Sequence, residues 1–243
     1  LFLSCTEQFL LDFAFLKFAP KEKRIAFAPS FGNSTLDQKY RELFTDGLEG
    51  FEDLSVREKS GAELIQSLTH KEATILCDPT MCLSKKEWMN FASPHKKKPK
   101  GKYLLTYFLG EPSPKVGVIL SSLSTDIEII DLNNLNSPGY YAVSPSEWVD
   151  YILDSVLFLT DSFHGVVFSL ILETPFAVYS RTGGESMQTR ITHILEQFNM
   201  KERFEIINID EALFNMDFSA SQVIIDREKN KADSFLSMSL SKK

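Results

Sequence analysis

The chain has 243 residues, of which 43% are hydrophobic and 24% are charged, as in ordinary folded proteins and unlike disordered or collagen-like chains. At about 150 residues per domain, this length predicts one large domain or two small ones. The net charge of −7 disfavours a protein that binds nucleic acid through bulk positive charge. No apolar run reaches the ~20 residues of a membrane span, so we expect no transmembrane segment.

The cysteines of the chain are Cys5, Cys77 and Cys82. An odd and sparse cysteine count predicts no disulfide framework and fits a reducing compartment, so we expect a cytoplasmic protein. None of these cysteines lies near a histidine at the spacing of a zinc site, and we therefore expect no bound metal.

Short apolar runs alternate with amphipathic segments in the first part of the chain. Strands are predicted at residues 23–30, 51–56 and 73–77, and helices at residues 37–48, 58–68 and 84–91. Ser84 stands at the start of the last of these helices with Glu87 three residues later, which is the pattern of a capping box. Ser144 and Glu147 show the same pattern later in the chain, with Pro145 at the first helical position.

A polar and basic segment with proline and glycine follows at residues 93–102 (SPHKKKPKGK). Its composition is typical of a solvated linker between two domains. The alternative interpretation is a basic rim that faces an anionic substrate.

The alternation of strands and helices resumes after this segment. Strands are predicted at residues 103–109, 127–130, 156–159 and 175–179, and helices at residues 114–123, 144–154, 166–172, 187–198 and 219–240. Such alternation predicts parallel βαβ units, so the expected fold class is α/β, with two Rossmann-like domains that face a cleft. The predicted boundaries are residues 1–95 for the N-terminal domain, 96–218 for the C-terminal domain and 219–243 for a C-terminal helix.

Candidate chemistry is sought after the strands, because ligands of open α/β sheets bind beyond the carboxyl ends of the strands. The clearest case is the turn at residues 160–165 (TDSFHG), which is followed by an apolar helix whose free N–H groups can receive a carboxylate or phosphate. We expect Asp161, Ser162 and Gly165 to bind the substrate there, and His164 to act as a general acid or a cationic clamp. The alternative is that Asp161 or Ser162 only caps the helix and that His164 is a buried core residue.

Two arginines are further candidates for binding an anion. Arg57 follows a predicted strand, and Arg190 lies near the start of a later helix. A guanidinium group suits a carboxylate or a phosphate. The alternatives are a salt bridge from Arg57 to Glu58 or Asp53, and a plain surface position for Arg190. Asp78, after another strand, is interpreted as part of a turn that closes the first domain.

Five segments stand in a fixed order along the chain. They are KRIAFAPSFG at residues 23–32, SVREKSG at 55–61, DPT at 78–80 followed by Trp88, KYLLTYFLG at 102–110, and FLTDSFHGVVFSLILETPF at 158–176. In this order they resemble the polysaccharide pyruvyl transferase family. The resemblance implies a two-domain fold like that of the GT-B glycosyltransferases. It also implies transfer of a pyruvyl unit from phosphoenolpyruvate to sugar hydroxyls, which leaves a pyruvate ketal.

The resemblance also implies roles for the candidate residues. His164 would be the acid or the phosphate partner, and Arg57 and, less directly, Arg190 would hold an anionic group. Phosphoenolpyruvate would be the donor substrate with no further cofactor. The acceptor would be a glycan or a lipid-linked saccharide, which is consistent with a peripheral position at the membrane. Some relatives carry an arginine inside the turn that here has Ser162 and Phe163, so one cationic contact would come from elsewhere.

The resemblance implies that family members begin with further sequence before the segment EQFLLDF at residues 7–13. We therefore expect an incomplete first domain, in a fragment, a naturally shortened member or the product of a misread gene start. Two other functions stay open at this point. One is a GT-B glycosyltransferase that uses a nucleotide sugar, and the other is a shortened, non-catalytic member that binds a glycan.

Overall fold

A computed structural model describes residues 6–32, 35–123, 127–134, 136, 142–181, 185–208 and 210–241 of the chain. The chain divides into two compact units, of which the first comprises Leu1–Cys82 with Arg227–Lys243 and the second Leu83–Asp226. Each unit contains one parallel β-sheet, which confirms the predicted α/β fold class. None of the described helices is both long enough and apolar enough to cross a membrane.

The first unit is built on a three-stranded sheet in the order β1-β2-β3. Its strands are β1 (Ile25–Ala26), β2 (Asp53–Val56) and β3 (Thr74–Ile75), and its helices are α1 (Thr6–Ala14), α2 (Arg41–Glu49) and α3 (Lys59–Thr69). Leu64, Ile65 and Leu68 of α3 recur at helical spacing and lie in one buried cluster with Val56 of β2. The apolar face that predicts this helix therefore packs against the sheet.

The first strand is much shorter than predicted, because it covers Ile25–Ala26 rather than residues 23–30. Ala28 has a left-handed backbone conformation with φ of 48°, which does not fit in a strand. Its N–H donates to Ser55 Oγ (2.8 Å), and this hydroxyl donates to the carbonyl of Ala26 (2.6 Å). The Ser55 side chain thus forms the hydrogen bonds that a longer β1 would have formed with the neighbouring backbone.

The second unit is built on a four-stranded parallel sheet in the order β5-β4-β6-β7. Its strands are β4 (Tyr103–Tyr107), β5 (Glu128–Asp131), β6 (Leu157–Thr160) and β7 (Phe176–Val178). Its helices are α4 (Lys85–Phe91), α5 (Pro114–Ser122), α6 (Pro145–Asp154), α7 (Phe163–Leu172), α8 (Glu185–Gln197) and α9 (Glu211–Phe214), and α10 (Ser219–Ser241) begins in this unit and ends in the first. Every residue of β6 is buried, as expected for a central strand covered on both faces.

The strand order indicates where a ligand would bind in the second unit. Along the chain β4 comes first, and β5 then lies on one side of it and β6 on the other. In doubly wound sheets, such a reversal of direction opens a crevice at the carboxyl ends of the two strands concerned. The turn at residues 160–165 follows β6 directly and therefore lies at this place.

Both predicted capping boxes are confirmed. The N–H of Ser84 donates to Glu87 Oε2 (2.8 Å), and the N–H of Glu87 donates back to Ser84 Oγ (3.3 Å). The same pair of bonds joins Ser144 and Glu147 at the start of α6, at 2.7 and 3.4 Å. Each pair satisfies backbone donors that have no partner within the helix itself.

The division between the two units falls after Cys82, whereas the sequence places it after residue 95. The helix α4 belongs to the second unit because Trp88 packs edge-on against Phe168 of α7, with 4.8 Å between the ring centroids. A predicted boundary beyond α4 overlooks this contact, because the two rings are far apart in the sequence.

The C-terminal helix is predicted as a separate element at residues 219–243. In the structure, the part of α10 from Arg227 onward is instead a component of the first unit. There Phe235 stacks on Phe27, with 6.4 Å between the ring centroids, and Phe235 is 6% exposed. Aromatic burial of this kind ties the end of the chain to the strand region near its beginning.

The basic segment at residues 93–102 lies within the second unit, so it does not link the two units as predicted. The Lys98 ammonium group donates to the carboxylates of Asp150 (2.5 Å) and Asp154 (2.6 Å), and the Lys98 side chain is 9% exposed. Both partners lie near the C-terminal end of α6, and the segment leads into the amino end of β4. The alternative of a basic rim that faces an anionic substrate stays a prediction.

Candidate functional site

Ser162 caps α7 in the turn between β6 and α7. Its Oγ accepts from the N–H of Gly165 (3.2 Å), and its own N–H donates to Thr160 Oγ1 (3.0 Å). The Thr160 hydroxyl donates in turn to the carbonyl of Tyr107, at the end of β4 (2.7 Å). The capping interpretation of Ser162 is confirmed, and the turn is joined to β4 by a short chain of hydrogen bonds.

Gly165 allows the first turn of α7 to approach β6 closely. A Cβ atom at this position would lie 2.8 Å from Thr160 Oγ1 and 3.2 Å from the ring of Phe158. In a closely packed interior, a larger side chain would require the helix or the strand to move. The glycine therefore sets the position of this helical turn, which also carries His164.

The Asp161 carboxylate is buried beside the turn, with the side chain 1% exposed. It accepts from the N–H groups of Leu109 (2.7 Å) and Gly110 (3.1 Å), and Arg181 Nη1 lies 3.6 Å away. Burial raises the pKa of Asp161, while the two N–H donors and the Arg181 charge act in the opposite direction. The carboxylate thus holds the loop after β4 against the turn, and its predicted contact with a substrate stays a prediction.

His164 and Arg190 meet at the ring of Phe163. The His164 ring packs edge-on against Phe163, with 5.6 Å between the centroids, and the Arg190 guanidinium lies 4.4 Å from the centre of the same ring. His164 is exposed, so its interpretation as a buried core residue is wrong. Arg190 is partly buried and is fixed by a cation–π contact, rather than standing alone on the helix surface.

Arg181 is a further cation at this edge of the sheet, and sequence reasoning does not single it out. It lies three residues after the end of β7, its side chain is 19% exposed, and it lies beside the Asp161 carboxylate. A Cβ atom on Gly110 would lie 2.8 Å from its Cδ, so the loop after β4 passes directly against it. Its place soon after a predicted strand is the signal that could have drawn attention to it.

The N-terminus of α7 is suited to an anion. Helix N-termini carry a partial positive charge, and the first turn of α7 contains no acidic residue. Exposed His164 stands in this turn, and Arg190 lies on the adjoining Phe163 ring. The arrangement can bind a carboxylate or phosphate and can supply or accept a proton beside it.

A second group of predicted residues lies in the first unit, at the carboxyl ends of β2 and β3. Arg57 forms an ion pair with the buried carboxylate of Asp78. The other oxygen of this carboxylate accepts from the N–H (3.0 Å) and the hydroxyl (2.8 Å) of Thr80. Arg57 therefore does not form the alternative salt bridges to Glu58 or Asp53. Asp78 holds the Arg57 guanidinium in addition to its place in the turn.

The carboxylate of Glu58 accepts hydrogen bonds from the loop after β1 instead of pairing with Arg57. Its Oε1 accepts from the hydroxyl of Ser30 (2.7 Å) and from the N–H of Phe31 (2.9 Å). These bonds hold the loop after β1 against the start of α3. They also account for the absence of an Arg57–Glu58 bridge, since the nearest carboxylate along the chain points to another loop.

The predicted residues therefore fall into two groups. Asp161, Ser162, His164 and Gly165 are adjacent in the turn, and Arg190 joins them through Phe163. Arg57 belongs to the first unit. Among the residues that the structure describes, no cluster of three or more His, Cys, Asp and Glu side chains could hold a metal ion.

Cys77 and Cys82 form a thiol pair in the first unit, on either side of the segment that contains Asp78. A hydrogen bond between the two side chains raises the pKa of Cys77, which burial raises further, and the same bond lowers the pKa of Cys82. Both thiols are free.

The family to which the chain belongs follows from one comparison with known proteins. The family model described as polysaccharide pyruvyl transferase matches residues 6–183. The chain belongs to the polysaccharide pyruvyl transferase family. The match covers Arg57, Asp78, His164 and Arg181 and ends before Arg190, so in this family member the first four lie within the shared region.

No curated protein matches the sequence of this pyruvyl transferase family member. Its fold is similar to that of two structures of the wall teichoic acid polymerase TagF, one of them a variant with CDPG. The first has 16% sequence identity and a TM-score of 0.39, and the match covers 89% of this chain and 64% of that chain. The second has 13% identity and a TM-score of 0.33, with 88% and 66% covered. The chain thus spans less than two thirds of the first of these structures.

Proposed function

We propose that the protein transfers a pyruvyl group from phosphoenolpyruvate to a sugar of a polysaccharide or of its lipid-linked precursor, and forms a pyruvate ketal. Membership of the family supports the reaction class. The observation that carries the proposal is the exposed imidazole of His164 at the acid-free N-terminus of α7, beside the Arg190 guanidinium.

The donor would bind through its two anionic groups. Phosphoenolpyruvate has a carboxylate and a phosphate, and both are suited to helix N-termini and to arginine. The first turn of α7 would hold one of these groups, with Arg190 beside it. Arg181 lies at the same edge in an ion pair with the buried Asp161 carboxylate, and its remaining N–H groups would be further donors to the anion.

The reaction needs a proton on the methylene carbon of the donor. As this carbon becomes a methyl group, the neighbouring carbon becomes electrophilic and forms bonds to two sugar hydroxyl oxygens, while its bond to the phosphate oxygen breaks. Of the two hydroxyl protons, one balances the proton taken up by the methyl group and the other leaves with phosphate. We assign the proton transfer to His164, because an imidazole both donates and accepts protons near neutral pH.

Arg57 would hold an anionic group of the substrate at the first unit. Asp78 orients the guanidinium through one of its terminal nitrogens, and Thr80 fixes the carboxylate of Asp78 from the other side. An arginine held in this way is preorganised, so less side-chain entropy is lost when it binds a carboxylate or phosphate. Arg57 is therefore assigned to substrate binding and Asp78 to its positioning.

The test is to incubate the purified protein with phosphoenolpyruvate and a broad set of glycan acceptors. We expect release of inorganic phosphate that depends on the acceptor, together with the mass increase of a ketal on the glycan. Phosphate release without an acceptor product, or neither signal over the whole set, would contradict the proposal. Thermal stabilisation by nucleoside diphosphate sugars and not by phosphoenolpyruvate would instead favour a glycosyltransferase.

A further inference from the structure

A pocket of about 400 Å³ lies at the carboxyl edge of the sheet of the second unit. Its volume falls within the range of about 300–1,000 Å³ that is usual for small-molecule sites. The residues that line it come from the ends of β4 and β5 and from the start of α6: Tyr107, Leu132, Asn133, Val143, Ser144, Pro145 and Trp148.

The pocket adjoins the turn that carries His164. The carbonyl of Tyr107, a lining residue, accepts the hydrogen bond from Thr160 Oγ1 (2.7 Å), and this oxygen accepts from the N–H of Ser162 (3.0 Å). Two hydrogen bonds therefore separate a wall of the pocket from the cap of α7. The pocket and the turn are therefore neighbours at the same edge of the sheet.

Among the residues that the structure describes, those that line the pocket include no charged side chain. The nearby N-terminus of α6 already has a carboxylate of the protein bound to it, because the N–H of Ser144 donates to Glu147 Oε2 (2.7 Å). The backbone hydrogen bond from Ser144 lowers the pKa of Glu147, so this carboxylate stays ionised at neutral pH. A phosphate or carboxylate ligand would therefore meet a charge of its own sign close to this helix end.

The pocket combines aromatic walls with a fixed amide. Tyr107 and Trp148 lie edge to face, 5.7 Å between centroids, and Trp148 also packs against Phe168 at 5.3 Å. The Asn133 side-chain NH₂ donates to the carbonyl of Phe108, which fixes the orientation of the carboxamide and makes its oxygen an acceptor for a hydroxyl group. Apolar ring faces beside a directed hydrogen-bond acceptor suit a neutral molecule with apolar C–H faces and hydroxyl groups.

We propose that this pocket binds a neutral sugar ring of the acceptor, with the ring against Tyr107 and Trp148 and a hydroxyl on the carboxamide of Asn133. The assignment rests on the proposed function, which requires a glycan beside the donor. It places part of the acceptor site in the second unit, whereas the anionic donor lies at α7.

The experiment uses the fluorescence of Trp148 in the full chain. Trp88→Phe removes the other tryptophan, so the remaining signal reports on the pocket. This protein is titrated with methyl galactoside, methyl glucoside and methyl mannoside, and separately with phosphoenolpyruvate and inorganic phosphate. We expect a saturable change with at least one methyl glycoside and no saturable change with either anion.

Asn133→Ala in the same background should weaken the binding of that glycoside about fivefold, the effect of one lost hydrogen bond. Asn90→Ala is the matched control, because Asn90 is exposed on α4 and does not line the pocket. Trp148→Ala is avoided because the loss of its ring contacts would disturb the fold.

Three results would overturn the inference: no saturable response to any methyl glycoside, equal affinities in the Asn133→Ala and Asn90→Ala proteins, or displacement of the glycoside by phosphate. The binding experiment needs no turnover, so its outcome is independent of the assay for pyruvyl transfer. Suppose that glycoside binding depends on Asn133 but that no phosphate is released from phosphoenolpyruvate. This result would support the sugar site in the pocket and contradict phosphoenolpyruvate as the donor. Pyruvyl transfer with an unchanged acceptor KM in the Asn133→Ala protein would support the donor and contradict the sugar site in the pocket.

Discussion

Two helices begin at the carboxyl edge of the second sheet with the same kind of serine cap and with opposite electrostatics. In α6 the cap Ser144 is bonded to the carboxylate of Glu147, so the positive end of the helix is compensated within the protein. In α7 the cap Ser162 bonds to the backbone of Gly165, and His164 is exposed in a first turn without acidic residues. The carboxyl edge of the second sheet thus has one helix N-terminus whose positive charge is compensated, at α6, and one whose charge is not, at α7.

A carboxylate in the first turn, such as Glu147 in α6, offsets the positive end of a helix, and α7 has none there. We therefore expect an anion to bind at α7 rather than at α6. The same reasoning connects the two proposals, since a transferase that joins an anionic donor to a neutral sugar needs both kinds of surface close together.

The largest expected effect follows from removing His164, the proton donor that we propose. His164→Ala should lower kcat for phosphate release by about 10²–10⁴-fold, because a general acid is removed from the reacting carbon. The thermal midpoint should hardly change, since His164 is exposed. Steady-state assays and thermal unfolding measure the two quantities.

His193→Ala provides the control for this prediction, because His193 is also exposed and lies on α8. It should leave kcat unchanged. Equal losses of activity in the two variants, or unfolding of the His164 variant, would contradict the catalytic assignment.

The close approach of α7 to β6 can be tested through its glycine. Gly165→Ala should destabilise the protein by about 1–3 kcal/mol, because the new Cβ would meet Thr160 at 2.8 Å. Gly117→Ala in α5 is the counterpart: a Cβ atom added there would meet no other atom within 4 Å, so helix propensity should stabilise the protein by up to about 1 kcal/mol. Urea unfolding measures both, and the same sign for both variants would refute the packing argument.

The electrostatic difference between α6 and α7 can be tested by adding a carboxylate at the cap of each helix. Ser162→Asp keeps a capping oxygen and adds a negative charge at α7, so KM for phosphoenolpyruvate should rise about tenfold. Ser144→Asp makes the same change at α6 and should leave this KM unchanged. An equal rise in both variants would mean that the donor does not distinguish the two helix ends.

The smallest expected effect concerns the support of the loop after β7. Glu205 accepts from the N–H (2.7 Å) and the hydroxyl (2.6 Å) of Ser180 and pairs with Lys115 (3.0 Å). Burial acts to raise its pKa, but these hydrogen bonds together outweigh it and lower the pKa below the ordinary value of 4.5. The ionised form is therefore the one that stabilises the fold.

The sign of the pH dependence follows from this lowered pKa. The stabilisation by Glu205 is present above the ordinary pKa of a glutamate and is lost as the pH falls through the lower pKa of the folded state. Glu205→Gln should cost about 1–2 kcal/mol at pH 7, and the difference from the parent should shrink below about pH 4. Urea unfolding at several pH values measures it, with exposed Glu202→Gln as the control; a difference that grows in acid would contradict the prediction.

Local patterns are enough to predict most of the fold. Helical spacing of apolar residues indicates α3, and the Ser84–Glu87 and Ser144–Glu147 patterns indicate two helix starts, because all the interacting groups lie within a few residues. The alternation of strands and helices indicates parallel sheets for the same reason. The turn at residues 160–165 is also found in this way, since a strand end, a cap and a helix follow each other directly.

Contacts between distant residues cannot be predicted from local patterns. The end of β1 depends on the hydroxyl of Ser55, 27 residues after Ala28, and the partner of Arg57 is Asp78, 21 residues later. Burial of Lys98 depends on carboxylates more than 50 residues away. Arg181 escapes sequence reasoning because its significance comes from Asp161 on the neighbouring strand end, which the sequence does not show to be close.

The division of α10 between the two units has a consequence for the order of folding. The first unit includes residues 227–243, with Ala232 and Phe235 buried in it, although the ribosome makes these residues after the whole of the second unit. The second unit can therefore assemble during synthesis, while the first stays incomplete until the residues from Arg227 onward have been made. This reverses the usual sequence, in which N-terminal parts of a protein fold first.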